Sequence, residues 1–508
     1  MALVTLTLAV GAPVAASETY ALVDDPGATD VTLDALLGVW LAGHPDWARA
    51  RRQLQDRVLE ADAAAAVLRQ PLLSADLQLS ETRTPQNQGI TQGIVRSERY
   101  ALDVGYAQPL PWGGQVRLGV AHGIQRSFVP LRFDDFRTEV ESGPVLETAL
   151  TATVVQPLLR GFGRERQRAA VVASLLARDR ESREIVALAE DRLDAILSAW
   201  EDLQSAAREM GLRHRSVERA RRQEAIATAL AEEGRIAGGD VLLAEQRVLG
   251  STEAWLASRQ AVDGASRRLA LLVDADVDLV RVRWRPAMED LSWSIGALEG
   301  DQACTMALRH AASLDASRAR IEEARHLLRE RQAALLPQLD ASATLGFRGL
   351  EEDPLESYRQ MVTARGRVLI AGLVFTWPIG QRVGRLEVER AAWAVESLEA
   401  ELEAAARALC RSVLMTWAEQ RALDDRLALA LRQRGLAERV LDQEERRLEA
   451  GLTTVQATVD LGERLDEASM VVERLRAQRQ ALGLRLARWT GELARRWIDE
   501  RTLFGGGP

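Results

Sequence analysis

The chain of 508 residues contains no lysine, so all 65 of its basic residues are arginine. We attribute that skew to genome composition rather than to function. Aromatic residues are only 5% of the chain, and the two cysteines are Cys304 and Cys410. No apolar run reaches the roughly 18 residues that a membrane helix needs. HExxH, CxxC, Walker and GxSxG motifs are all missing, and the five histidines are scattered, so no catalytic, metal or cofactor constellation is visible. A formal net charge of -9 argues against nucleic acid as the main partner.

What is present is helix-forming. Hydrophobic residues make up 47% and charged residues 27%, and Ala, Leu, Arg and Glu recur at spacings of three and four, which points to long helices or coiled coils. The length suits two or three ordinary domains. Residues 1–17 are apolar and then small, ending in Val14-Ala15-Ala16-Ser17, and are read as a candidate export signal. Its positive n-region is missing, since the first arginine is Arg49.

Taken in order, residues 32–70 are expected to form one helix, with Leu33, Leu36, Leu37, Trp40 and Leu41 on its apolar face and Pro71 at its end. Four strands follow. Leu73, Ala75, Leu77 and Leu79 alternate with Ser74, Asp76, Gln78 and Ser80. Tyr100, Leu102, Val104 and Tyr106 mark the second strand, Val116, Leu118, Val120 and Ile124 the third, and Leu146, Leu150, Ala152 and Val154 the fourth, which stops at Pro157. Polar segments at about 84–98 and 127–146 read as long loops, and Pro111-Trp112-Gly113-Gly114 as a tight turn. Long and short connections alternate as in a transmembrane barrel, although an ordinary soluble β-sandwich also fits this stretch.

From 163 to 233 the sequence reads as unbroken helix, some 70 residues or about 105 Å. A break at Gly234–Asp240 leads into a helix at 241–273, for which Asp240 is the expected N-cap. Residues 279–284 look strand-like. The pattern then restarts with a helix at 302–336, Pro337, a strand through Leu339, Ala341, Ala343, Leu345 and Phe347, a loop at 349–365, a strand at 366–377 ending at Pro378, and a helix from about 385 to 449. A second break at Gly451-Leu452-Thr453-Thr454 precedes a last helix at 456–490.

The restart is an internal duplication. His44 matches His310 and Pro71 matches Pro337 at an offset of 266. Pro157 and Gly163 match Pro378 and Gly384 at 221, and Trp200 and Gly234 match Trp417 and Gly451 at 217. The offset falls because the first copy carries two extra strands. The chain therefore divides into a first repeat at 32–276, a linker at 277–301, a second repeat at 302–490, and a glycine-rich tail at 491–508 that is expected to be partly disordered. His44 and His310, being repeat-equivalent, are read as packing or capping residues rather than metal ligands.

The two strand-Pro-Gly-helix junctions, Gln156-Pro157-Leu158 with Gly161 and Gly163, and Trp377-Pro378-Ile379 with Gly380 and Gly384, carry a resemblance to the TolC-type outer-membrane efflux proteins, or outer-membrane factors. The two glycine breaks carry it too, and it covers roughly 32–490. It implies an α+β membrane protein: a homotrimer whose transmembrane β-barrel continues into a long periplasmic α-helical barrel. It also implies a passive exit duct, not an enzyme and without cofactors, in the outer membrane with a large periplasmic portion. The duct would serve a tripartite efflux pump or type I secretion system and dock a periplasmic adaptor and an inner-membrane pump or ABC exporter. Pro71, Pro157, Gly161, Gly163, Pro337, Pro378, Gly380 and Gly384 would lie at the barrel-to-tunnel junction, with Gly163 and Gly384 as equivalent positions. Gly234, Asp240, Gly451 and Asp460 would lie at the periplasmic tip, although Ala457 stands where the family often has an acid.

The usual family protomer gives four strands and this chain reads as six. Either the trimer closes eighteen strands or residues 99–126 fold as a hairpin outside the barrel wall. Cys304 lies 33 residues before Pro337 and Cys410 lies 32 after Pro378. Counted from one barrel edge they reach nearly the same height in an oxidising compartment, so a disulfide and two free buried thiols both stay open. The competing function is a periplasmic coiled-coil adaptor or scaffold; a simple porin would lack the helices.

Overall fold

The computed structural model describes residues 28–88, 91–133, 136–288, 291, 293, 298–363 and 365–498. The candidate signal at 1–17 and the end of the tail, 499–508, lie outside the described residues. The chain separates into two compact units, Met1–Arg51 with Glu184–Asp315 and Ala404–Pro508, and Arg52–Arg183 with Ala316–Glu403.

The second of these units is built on one six-stranded antiparallel sheet. Its strands are β2 (Leu72–Gln88), β3 (Thr91–Pro109), β4 (Gln115–Phe133), β5 (Phe136–Pro157), β7 (Gln338–Glu351) and β8 (Gly366–Thr376), in that spatial order. β3 and β4 are paired on both sides and so belong to the sheet rather than to a hairpin set apart from it. The ladder between β5 and β7 runs to Pro157 opposite Asp340. The segments expected as loops at 84–98 and 127–146 are instead continuations of the β2–β3 and β4–β5 hairpins. Charged cross-strand contacts hold these polar extensions. Arg96 meets Glu81 at 3.2 Å, contacts Glu98, and lies over the Phe128 ring at 5.4 Å. Sequence alternation weakens there because neither face is buried, while the backbone pairing persists.

The loop expected at 349–365 also differs, because α8 (Pro354–Val362) occupies most of it. Asp353 caps this helix by accepting from the Leu355 N–H at 3.1 Å, and Pro354 fills its first position, a favoured start.

Helices make up most of the remaining chain. The first expected helix breaks into α1 (Leu33–Gly43) and α2 (Pro45–Val67), and the helix expected at 302–336 breaks into α6 (Gly300–His310) and α7 (Ala312–Ala334). Pro45 explains the first break, since a proline cannot bond back to the preceding turn. His44 accepts the Asp46 N–H on its Nδ1 at 3.2 Å, satisfying one early donor of α2. Short α3 (Arg164–Gln167) precedes α4 (Ala169–Glu232), α5 covers Gly238–Val273, and α9 (Arg382–Glu449), α10 (Val455–Trp489) and α11 (Glu492–Trp497) complete the chain. The residues expected as a strand at 279–284 turn instead: the Arg281 and Val282 N–H groups donate to Asp278 O. The strand is β6 (Trp284–Pro286), parallel to β1 (Thr29–Val31).

The core of the first unit follows a 3/4 stripe on α4. Ala189, Leu193, Ile196, Leu197, Trp200 and Leu203 are all buried, whereas the neighbouring Leu188 is exposed. Trp40 and Trp47 meet edge to face at 4.9 Å. Each large apolar side chain withdrawn from water stabilises the fold by roughly 1.5–3 kcal/mol.

Candidate functional site

Strand register makes the sheet two-faced. Leu77 lies opposite Leu102, Leu102 opposite His122, and His122 opposite Thr148. Every second residue along each strand joins that face, which presents Leu73, Leu77, Leu102, Val120, Leu150, Leu345 and Leu373, all exposed. The opposite face carries Asp76, Asp103, Glu147, Thr153 and Arg348. There the Arg348 guanidinium contacts Glu147, Arg99 reaches the same carboxylate at 3.7 Å, and the Thr153 and Thr344 hydroxyls are 3.0 Å apart. Among the described residues both edge strands, β2 and β8, have one side unpaired.

The two junctions share a plan but not every residue. At the first, the Leu158 N–H donates to Leu339 O at 2.7 Å and the Arg160 N–H to Pro337 O at 3.3 Å, so Arg160 lies beside Pro337 just past the end of the β5–β7 ladder. Gly161 and Gly163 have φ of 88° and 99°, a conformation that favours glycine. A side chain on the neighbouring Gly113 would meet the Gly161 carbonyl at 2.5 Å. At the second junction the turn is made by Gly380 (φ 83°) and Gln381 (φ 36°), whereas Gly384 lies inside α9. Gly384 is therefore not the bending counterpart of Gly163. It instead faces the end of the Leu335 side chain.

The two glycine breaks are matched bond for bond. At the first, the Arg235 N–H donates to Leu230 O at 2.9 Å and the Gly234 N–H to Ala231 O at 2.9 Å. At the second, the Leu452 N–H donates to Arg447 O at 2.8 Å and the Gly451 N–H to Leu448 O at 2.8 Å. These are paired Schellman closures around glycines at φ 72° and 71°. Ala227, Leu230, Ala244, Leu448, Val455 and Val459 form one apolar cluster beneath them. Thr454 caps α10 by accepting the Ala457 N–H at 3.3 Å. Asp240, expected as an N-cap, lies in the first turn of α5 instead, and the cap position is Ala237. Gly238 and Gly239 have joined the helix ahead of it, so the Asp240 carboxylate meets the helix N-terminus as a favourable charge. Asp460 is exposed and accepts from Gln456 Nε2 at 2.6 Å.

Charged groups bind α4, α5 and α10 together. Asp466 accepts the Ser216 hydroxyl at 2.6 Å and Arg247 at 3.3 Å, and contacts Arg219. Arg208, buried, lies 3.4 Å from the Glu473 carboxylate. Glu190 on α4 is 4% exposed. Burial pushes its carboxyl up to about 7, against the pull of Arg488 and of the Ala312 and Ala494 backbone N–H groups. Cys304 and Cys410 are disulfide-bonded with Cα atoms 5.0 Å apart, inside a cluster with Ala303, Ala307, Val413 and Leu486. Sequence reasoning missed Glu190, because nothing in the residue pattern separates it from the solvated glutamates beside it. It also missed Arg235, whose Nη2 donates to Ala450 O at 3.0 Å across the two breaks. Among the described residues no group of three or more His, Cys, Asp or Glu is placed to hold a metal ion.

Residues 304–492 match the family model described as outer membrane efflux protein. No curated protein is matched. In solved structures the fold is similar to the outer membrane protein VceC from Vibrio cholerae, at 17% identity and TM-score 0.59, covering 90% of this chain and 95% of that one. It is similar to the Neisseria gonorrhoeae MtrE outer membrane channel in its open state, at 14% identity and TM-score 0.58, covering 90% and 88%. The Campylobacter jejuni CmeC outer membrane channel matches at 11% identity and TM-score 0.58, covering 90% and 85%. The likeness in fold to these solved structures thus extends well beyond residues 304–492, over 90% of the chain.

Proposed function

We propose that the protein is the outer-membrane exit duct of a tripartite efflux pump or type I secretion system, working as a homotrimer. The observation that carries this reading is the sheet: six strands, two unpaired edges, and an exposed apolar face that register extends across every strand. In lipid an open edge leaves backbone groups without partners, so the sheet must close on copies of itself. Three copies of the six-stranded sheet make an eighteen-stranded barrel, with the Asp76 and Arg348 face lining its lumen. Helical surfaces support the same assembly. Leu242, Leu249 and Leu256 on α5, and Met415, Leu429 and Leu436 on α9, are exposed and fall at multiples of seven residues, the repeat of supercoiled partner helices. Among the described residues no helix is long and apolar enough to cross a membrane.

In this reading Pro71, Pro157, Pro337 and Pro378, with Gly161, Gly163 and Gly380, mark the passage from barrel to tunnel. Gly234, Asp240, Gly451 and Asp460 form the periplasmic entrance, where an adaptor joined to an inner-membrane pump or ABC exporter docks. The duct itself is passive. The adaptor reading is less well supported, because an adaptor has no use for a lipid-facing sheet. Single-channel recording on the full chain tests both. Cation-selective conductance that weakens in Asp460→Ala is expected. Unchanged selectivity removes Asp460 from the pore, and a monodisperse, detergent-free monomer without conductance overturns the duct in favour of the adaptor.

A further inference from the structure

Helix α8 is built inside out for a surface helix in water. Its side toward the sheet is polar. Ser357 is fully buried, its hydroxyl donates to Leu146 O at 3.3 Å, and the Thr148 hydroxyl donates to Ser357 O at 3.2 Å. Gly349 lets the helix backbone lie directly on β7, where any side chain would collide with Ser357 O. Tyr358 stacks on His122 with ring centroids 5.9 Å apart and an interplanar angle of 8°. Thr148 and His122 are cross-strand partners on the apolar face, so α8 lies on that face and not on the Asp76 face.

The outward side is apolar. Leu355 and Val362, seven residues apart, are 76% and 78% exposed, and Tyr358, on the flank between them and the sheet, is 43% exposed. Arg359 stands among them, also exposed, with only a 3.7 Å pairing to Glu356. A helix facing water would show the serine and bury the leucine and valine. This arrangement suits a neighbour less polar than the sheet itself.

The height of the helix says which part of the membrane that neighbour is. The β5–β7 ladder holds twelve residue pairs, from Pro157 opposite Asp340 to Leu146 opposite Glu351. Tilted strands cross a bilayer in about 9–11 residues. The Ser357 contacts to Leu146 and Thr148 therefore put α8 at the end of the apolar band farthest from the prolines. That is where Tyr and a snorkelling Arg are favoured.

We propose that α8 is an interfacial helix seated in the outer leaflet, with Leu355, Tyr358 and Val362 among the acyl chains and Arg359 at headgroup level. The occupant of this surface is lipid, continuous with the lipid that covers the sheet. The inference rests on the membrane reading of the sheet, and its test separates the two. Both native cysteines are in the disulfide, so Leu355→Cys or Leu373→Cys provides one free thiol for a nitroxide label. Full-length protein is reconstituted in phosphatidylcholine–phosphatidylglycerol vesicles, and relaxation by oxygen is compared with relaxation by a water-soluble nickel chelate. The expected result is that oxygen dominates at both positions. Oxygen dominating at 373 but the chelate at 355 overturns the interfacial helix and leaves the duct standing. The chelate dominating at both positions overturns the membrane reading of the sheet, and this proposal with it.

Discussion

The Arg235 guanidinium occupies the space directly over Gly451, where a Cβ would sit, and donates from Nη2 to Ala450 O at 3.0 Å. One glycine break thus locks the other. Gly451 and Gly234 share the same left-handed backbone, but Gly234 has open space around its Cα. Gly234→Ala should therefore cost only the left-handed strain, about 1–2 kcal/mol. Gly451→Ala should cost about 1 kcal/mol more through displacement of Arg235. Hydrogen-exchange protection of the amides around Leu452 reads the difference. In an Arg235→Ala background the excess should disappear; if it persists, the guanidinium is not its source.

The Glu190 carboxyl makes stability depend on pH. Its folded value is raised to about 7 from 4.5. The contribution is therefore fully present below about 4.5 and is lost as pH rises through about 7, amounting to about 3 kcal/mol across that window. Asp194, also raised chiefly by burial, acts in the same direction. Thermal melts between pH 5 and pH 8 on the wild type and on Glu190→Gln should differ in slope, with the glutamine variant losing less stability toward pH 8. Parallel slopes would mean that Glu190 is charged throughout.

The disulfide between Cys304 and Cys410 spans a sequence separation of 106. A closure of that size stabilises by about 5 kcal/mol in the chain-entropy treatment. Cys304→Ala with Cys410→Ala should lower the melting temperature of the helical signal and abolish its sensitivity to reductant. Intact-mass measurement of the native protein should show the mass of the oxidised pair.

The two faces of the sheet should respond oppositely to charge. Leu77→Arg places a guanidinium on the apolar face and should cost about 2–4 kcal/mol near the bilayer midplane. Asp76→Arg, one residue away on the polar face, should insert normally and shift ion selectivity. Yield of folded trimer from membranes measures both, and equal loss in the two variants would argue against a lipid-facing Leu77.

Several parts of this were legible in the residues. The alternation of Leu73, Leu77 and Leu79 with Asp76, and of Leu102 and Val104 with Asp103, announces two-faced strands. The offsets of Pro157 to Pro378 and Gly234 to Gly451 announce the duplication. Other parts were hidden for physical reasons. The hairpin extensions beyond Ser80 and Ile124 lose their alternation where neither face is buried, yet cross-strand bonds and the Arg96 contacts keep them paired. β6 forms only because Thr29–Val31 lies beside it, a partner no local window contains. α8 hid because its apolar and polar sides are inverted: Ser357 points inward and Val362 outward. Arg235 and Glu190 depend on which helices meet, and one helix's periodicity does not report that.

Strand β8 is apolar on both sides: Leu369, Leu373 and Phe375 alternate with Val368, Ile370 and Val374, and all six are exposed. It is also one of the two unpaired edges of the sheet. A lone protomer in water would thus display a ready template for indiscriminate strand addition. The interval between synthesis and closure is the hazardous part of this protein's life. For the trimer proposed above, escort of the unassembled chain, and insertion coupled to meeting its sister copies, become requirements of biogenesis rather than conveniences.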